Sequence, residues 1–198
     1  MQVKDDNWMQ TSTGGRFYPG APDQCPVWIS DIANGLALTV RYGGQININS
    51  FYSVAEHSWH LSCYAERQEK NPAVCMALLL HDASEAFLGD VPRPLKKLIG
   101  PQYAEMEKQL LARILREYGA LSAYIENERF IAEVDTRILK NEKKFLFNHE
   151  AEWPVDAMEE LDGVSICCLE PRTAKRLFLE RYSELCRKMG RNIEDWEI

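Results

Sequence analysis

The sequence predicts an all-α fold, and three observations predict it. Apolar residues recur at helical spacing in long blocks, as in Met106, Leu110, Ile114 and Leu115, and again in Val134, Ile138, Leu139 and Leu146. Start and stop residues bound those blocks, among them Ser53, Asn71-Pro72, Gly89 and Gly119. Strand-like alternation is weak and confined to residues 45–49 and 164–169. At 198 residues the chain is long enough to bury one substantial core, so a single domain over 1–198 is expected.

Residues 1–29 read as an irregular arm over that core, because Thr13-Gly14-Gly15-Arg16 and Tyr18-Pro19-Gly20-Ala21-Pro22-Asp23 are turn chemistry. Ser30-Asp31 is placed to cap a first helix carrying Ile32, Leu36, Leu38 and Val40 and stopping at Tyr42-Gly43-Gly44. Arg41 at its C-terminal end either complements the helix dipole or offers its planar fork to a phosphate. Ser53-Val54-Ala55-Glu56 has the pattern of a capping box and starts a helix to about Arg67, with His57 and His60 near its beginning. Asn71-Pro72 starts another, over 73–87, stopped by Gly89. His57 and the adjacent pair His81-Asp82 are therefore expected on neighbouring antiparallel helices. Two prolines make Asp90-Val91-Pro92-Arg93-Pro94-Leu95-Lys96-Lys97 a rigid turn into a short helix. Amphipathic helices follow over 101–118 and 127–147, then a loop with one short turn over 148–170 and a last helix over 173–188.

Composition excludes several classes. The net charge of −7 opposes a nucleic-acid binder. No apolar run approaches the roughly 18 to 20 residues of a membrane helix, so no membrane partner is expected. The first residues lack the basic start and apolar core of a signal peptide. The six cysteines form no CxxC pair, and Cys167 beside Cys168 is poor disulfide geometry, so reduced thiols and a cytoplasmic location are expected.

The chemistry is concentrated where the apolar run Ala77-Leu78-Leu79-Leu80 ends in His81-Asp82. A buried His beside a buried Asp is costly without compensation. Asp135, directly after Val134 on an apolar face, also needs a reason to be there. Together His57, His81, Asp82 and Asp135 make a mixed nitrogen and oxygen set that suits Mn, Fe, Co, Ni or Zn better than Ca. The two carboxylates neutralise a dication, and four protein ligands leave positions open for water and a substrate oxygen. His57-x-x-His60 is a rival pair, but there is no HExxH. P-loop, dinucleotide-binding and serine-hydrolase motifs are absent.

Tyr52-Ser53-Val54-Ala55-Glu56-His57-Ser58, Leu80-His81-Asp82-Ala83-Ser84-Glu85 and Gly89-Asp90-Val91-Pro92-Arg93-Pro94-Leu95-Lys96 together resemble the HD-domain nucleotide phosphohydrolases. Among them they are most similar to bacterial 5′-deoxynucleotidases and phage dATP triphosphohydrolases, over about residues 30–140. The resemblance implies a helical HD-domain fold, with a metal-site core over about 30–148 and a loop and C-terminal helix over 149–198. It implies one divalent transition metal at His57, His81, Asp82 and Asp135. By the same resemblance Glu85 matches the acid that orients or deprotonates the attacking water, and Asp90 a second acid of the pocket. Arg41 and Tyr42 match an Arg-aromatic pair beside phosphate and sugar, and Lys96 a basic residue near the phosphates. The family's aromatic is often Trp where this chain has Tyr42. The family commonly assembles, so a homo-oligomer is expected, in the host cytoplasm if the gene is carried by a phage.

Both related activities break the P–O5′ bond of a deoxynucleotide. The first expectation is a triphosphohydrolase converting dATP to deoxyadenosine and triphosphate. The alternative is a 5′-deoxynucleotidase acting on monophosphates; a non-catalytic nucleotide sensor ranks third, because all four ligands and Glu85 are intact. Arg93, Lys97, Lys143 and Lys144 are the candidates to hold further phosphates.

Overall fold

The computed structural model describes residues 7–47, 49–148 and 151–192. The all-α expectation holds. Nine α-helices run through the described residues: α1 Ile29–Leu38, α2 Val54–Arg67, α3 Pro72–Leu79, α4 Glu85–Leu88, α5 Arg93–Ile99, α6 Pro101–Glu117, α7 Leu121–Glu126, α8 Glu128–Leu146 and α9 Pro171–Lys188. Single 3-10 turns lie at Pro22–Gln24 and Pro154–Ala157, and a tight turn lies at Arg41–Gly44. The two strands among the described residues, β1 Met9–Gln10 and β2 Arg16–Phe17, pair antiparallel within the N-terminal arm.

Helix α3 is apolar on every side, and the residues from Val74 to Leu80 are all buried, as such a helix must be. It packs against α2, which follows from the short connection between them, and the pair is covered by α9 and flanked by α1, α7 and α8. The buried core runs from Phe17 in the arm to Cys186 in α9. Arg181 of α9 is buried and donates to Ser62 Oγ, the Ser62 carbonyl, Glu66 and Glu184, which ties α9 to α2.

Several boundaries differ from the sequence reading. Helix α1 begins at Ile29, so Asp31 lies inside its first turn and does not cap it. The buried Asp31 carboxylate instead accepts from Ser12 Oγ at 2.6 Å and from Thr13 N and Oγ1, both at 2.8 Å, fastening the arm. Helix α1 also ends earlier, at Leu38, and Val40 pairs with Ser53 in an isolated bridge. Arg41 is therefore not at a helix C-terminus. It opens a turn in which Tyr42, Gly43 and Gly44 all have positive φ, and two glycines make that run of left-handed residues accessible.

The expected continuous helix over 73–87 is broken between Leu79 and Glu85. His81 Nδ1 donates to the Leu78 carbonyl at 2.8 Å, taking the acceptor that the Asp82 N–H would use in an unbroken helix. Adjacent residues of a helix point about 100° apart, so the break is what lets His81 and Asp82 face one point. The alternating residues 164–169 form no strand. Val164 and Ile166 are buried as alternation requires, but the backbone finds a side chain as its partner. Ser53 caps α2 by accepting from Glu56 N, yet the Glu56 side chain does not return to close a capping box. It accepts from the backbone N–H groups of Cys167, Cys168 and Leu169 at 2.8, 3.0 and 2.6 Å. The alternation over 45–49 crosses Ile48, which lies outside the described residues, as do residues 1–6.

Gly35 lets α1 approach α4 closely. A Cβ there would lie 2.5 Å from the Ala86 carbonyl oxygen and 2.8 Å from its Cα. Trimming the Ala86 side chain does not relieve that contact. Gly35→Ala is expected to cost about 1–3 kcal/mol through overpacking, read as a lower urea midpoint. An unchanged midpoint would show that the two helices separate freely at this point.

Candidate metal centre

Three segments bring the four predicted ligands together: His57 from the first turn of α2, His81 and Asp82 from the break after α3, and Asp135 from α8. One ligand atom from each lies within 4.8 Å of the others. His57 Nε2 is 3.3 Å from His81 Nε2, 3.2 Å from Asp135 Oδ1 and 3.6 Å from Asp82 Oδ2. His81 Nε2 is 3.2 Å from Asp82 Oδ2 and 3.6 Å from Asp135 Oδ1. Donors sharing one ion at about 2.1 Å, with angles between octahedral and tetrahedral, are roughly 3.0–3.4 Å apart.

The protonation pattern also fits a cation. Burial pushes the Glu142 carboxyl up, but Arg41 and His57 outweigh it and hold it down at about 2. Ionised Glu142 can only accept, so His57 Nδ1 donates to its Oε1, at 2.7 Å. His81 Nδ1 must likewise donate to the Leu78 carbonyl. With its proton on Nδ1, each ring as a neutral ligand would turn a bare Nε2 lone pair toward the two carboxylates, the tautomer a metal ligand needs. Burial disfavours a charge on His81, yet Asp82 and Asp135 still raise its pKa well above the usual value. Burial likewise raises Asp82, but His81 overrides this and brings it down to about 2. The cluster demands positive charge, and the donor set supplies it with a place to bind.

Glu142 is the residue that the sequence reading missed. It is fully buried, and besides His57 it accepts from Tyr52 Oη at 3.0 Å, from Tyr42 Oη in a short bond, and from Arg41 Nη2 at 3.5 Å. Its signal was its position seven residues after Asp135, on the same helix face.

The other predicted residues surround this cluster. Arg41 bridges Glu142 and Asp82, with Nη1 3.5 Å from Asp82 Oδ2. The Tyr42 ring packs edge-on to Phe147 and tilted against Trp153, while its N–H donates to Asp90 at 3.1 Å. Lys96 donates to Glu107 at 2.6 Å and reaches Glu85 at 3.5 Å. Burial, with the like charges of Asp82 and Asp90, pushes the Glu85 carboxyl up to about 9 despite Arg41 and Lys96. Arg93 donates to Asp135 Oδ2 at 2.9 Å. Lys143 and Lys144 do not come to the site; they pair with Asp156 and Glu160. Arg41 Nε, Glu85 Oε2 and Tyr103 Oη are buried without a hydrogen-bond partner among the described residues.

The family model described as HD domain matches residues 39–145, more than half of the chain. The chain belongs to the HD-domain family. HD domains bind a divalent metal and carry out metal-dependent phosphohydrolysis, and the His/Asp group of this chain can hold such an ion. The chain is 29% identical over 181 residues to the uncharacterized protein YfdR of Escherichia coli (strain K12), covering 90% of this chain and 96% of that protein. It is 37% identical over 116 residues to an uncharacterized protein of Rhodobacter capsulatus, covering 57% of this chain and 58% of that one. No helix among the described residues is long and apolar enough to cross a membrane.

Because Glu142 orients His57 from behind, Glu142→Gln is expected to weaken divalent-metal binding about 10- to 100-fold. Titration calorimetry with Mn²⁺ on folded variant and parent reads this directly. Equal affinities would mean that His57 is oriented by packing alone.

Proposed function

We propose that this HD-domain protein hydrolyses the P–O5′ bond of a deoxynucleotide, with dATP to deoxyadenosine and triphosphate as the reaction to test first. The observation that carries the reading is the group of unpartnered buried atoms, Arg41 Nε, Glu85 Oε2 and Tyr103 Oη, on residues around the candidate metal ligands. Buried polar atoms are almost always satisfied, so three orphans near one site ask for a polar ligand and its water.

In this reading His57, His81, Asp82 and Asp135 are the metal ligands. A divalent ion held by them lowers the pKa of a bound water and polarises a phosphoryl oxygen. Arg41 donates to the phosphate through its free Nε while Glu142 fixes its far edge. Glu85 aims the attacking water through Oε2. Lys96 keeps positive charge beside Glu85 and the phosphate. Asp90 holds the left-handed turn that presents Tyr42, and the Tyr42–Phe147–Trp153 cluster offers aromatic faces near the nucleoside end.

One observation favours the monophosphatase alternative. Of the four cations considered for further phosphates, Lys143 and Lys144 are engaged with Asp156 and Glu160, Lys97 is exposed, and Arg93 contacts a candidate ligand. A triphosphate brings more negative charge than Arg41, Arg93 and Lys96 balance unaided.

Parallel assays with Mn²⁺ or Co²⁺ decide between them. Triphosphate and deoxyadenosine released from dATP support the first reading; inorganic phosphate from dAMP, with dATP inert, supports the second. Turnover of neither by metal-loaded protein across a nucleotide panel would refute both. In whichever reaction is found, Glu85→Gln is expected to lower kcat about a hundred- to ten-thousand-fold with little change in KM. A kcat within a few-fold of the parent removes Glu85 from the chemistry.

A further inference from the structure

Helix α2 presents a second group of metal-ligating side chains on a different face from His57. Glu56, His60 and Cys167 each place one donor atom within 4.8 Å of the others. Glu56 and His60 are one helical turn apart, so they share a face, and Cys167 comes from the segment that crosses it. We propose that these three residues form a second cation site, selective for a thiophilic divalent ion of the zinc class.

The observation that points to a ligand is His60. Its side chain is only 8% exposed, and Nε2 is buried with no hydrogen-bond partner among the described residues. Glu56 Oε1 is nearby, at 3.5 Å, but no hydrogen bond forms between them. A buried imidazole nitrogen beside a carboxylate, in a group that also holds a thiol, and hydrogen-bonded to neither, has the environment of a ligand atom.

The rest of the group is built to suit. The Glu56 carboxylate is fixed by three backbone N–H donors, those of Cys167 and Cys168 on Oε1 and that of Leu169 on Oε2, so the lone pair left for one more bond is on Oε2. The same bonds fix the backbone that carries Cys167. The Cys167 thiol donates to the Ser165 carbonyl at 3.2 Å, and burial together with Glu56 pushes its pKa up. It is therefore no activated nucleophile. Binding a dication replaces the thiol proton, which leaves to solvent, and forms the metal–sulfur bond. Dication, thiolate and carboxylate then sum to zero charge. Cys167 is exposed, so an ion can reach the thiol from solvent.

Sulfur separates this site from the one formed by His57, His81, Asp82 and Asp135, which offers nitrogen and oxygen alone. Soft metals and thiolates prefer each other, and Co²⁺ bound to thiolate shows a near-ultraviolet charge-transfer band that nitrogen and oxygen ligands do not give. The full-length chain is titrated with Co²⁺ under reducing conditions. The band is expected in the parent, in Asp82→Ala and in Cys168→Ser, and its loss is expected in Cys167→Ser. Cys167 is exposed, so Cys167→Ser should keep the circular dichroism spectrum of the parent. His60→Gln should weaken the band's affinity for Co²⁺ about tenfold or more. No band in the parent, a band that survives Cys167→Ser, or one lost with Asp82→Ala overturns the proposal.

Discussion

The carboxylate of Glu142 is the constraint on which the candidate centre depends. It is a buried charge reached by residues scattered along the chain: Arg41 and Tyr42 from the turn after α1, Tyr52 just before α2, and His57 in α2. Ionising a buried acid is costly by several kcal/mol unless hydrogen bonds and an opposite charge compensate. Here the compensators are the parts of the site. Holding Glu142 ionised sets the His57 tautomer, and the same bonds pull the left-handed Tyr42–Gly44 turn against α8. Stability of the carboxylate and geometry of the site are one problem with one solution.

A second constraint acts from the opposite side, through the break between α3 and α4. Were α3 continuous, His81 and Asp82 would point in different directions and one would leave the site. The His81 Nδ1 bond to Leu78 interrupts the ladder and fixes the tautomer at once. The chain then resumes at α4, whose first residue is Glu85. The missing side chain of Gly35 allows α1 to lean on this short helix. The candidate ligands His81 and Asp82 and the nearby Glu85 are thus set by a local backbone event and by close packing.

Much of this was legible in the sequence, and what was not has physical reasons. The candidate ligand group could be read because an adjacent His-Asp pair at the end of a fully apolar run is costly to bury without compensating charge, and the fold does bring it to His57 and Asp135. Helix α2 could be read from its Ser53 cap, and α6 and α8 from long apolar periodicity. The break at 80–84 was hidden, since Ala77 to Ala86 contains neither Gly nor Pro and the interruption comes from a side chain. Glu142 was hidden because its partners lie up to 101 residues away, although it repeats Asp135 on the same face. Helix α7, short and without a side-chain cap, gave no local signal. The apparent capping box at Ser53 misled, because the Glu56 carboxylate that would have closed it accepts instead from the backbone N–H groups of residues 167–169, in the segment read as a loop.

Helix α2, with fourteen residues, serves two chemically different environments from neighbouring positions. His57 turns into a nitrogen and oxygen cluster ringed by Arg41, Glu142 and Asp135. Glu56 and His60 turn toward backbone N–H groups and a thiol. Because the two faces share a rigid backbone, the hydrogen bonds that seat residues 167–169 on Glu56 also restrain the residue next to it, His57. The segment 164–169 therefore belongs to the support of the candidate metal centre, although it contributes no ligand to it and lies beyond residues 39–145, the region matched by the family model.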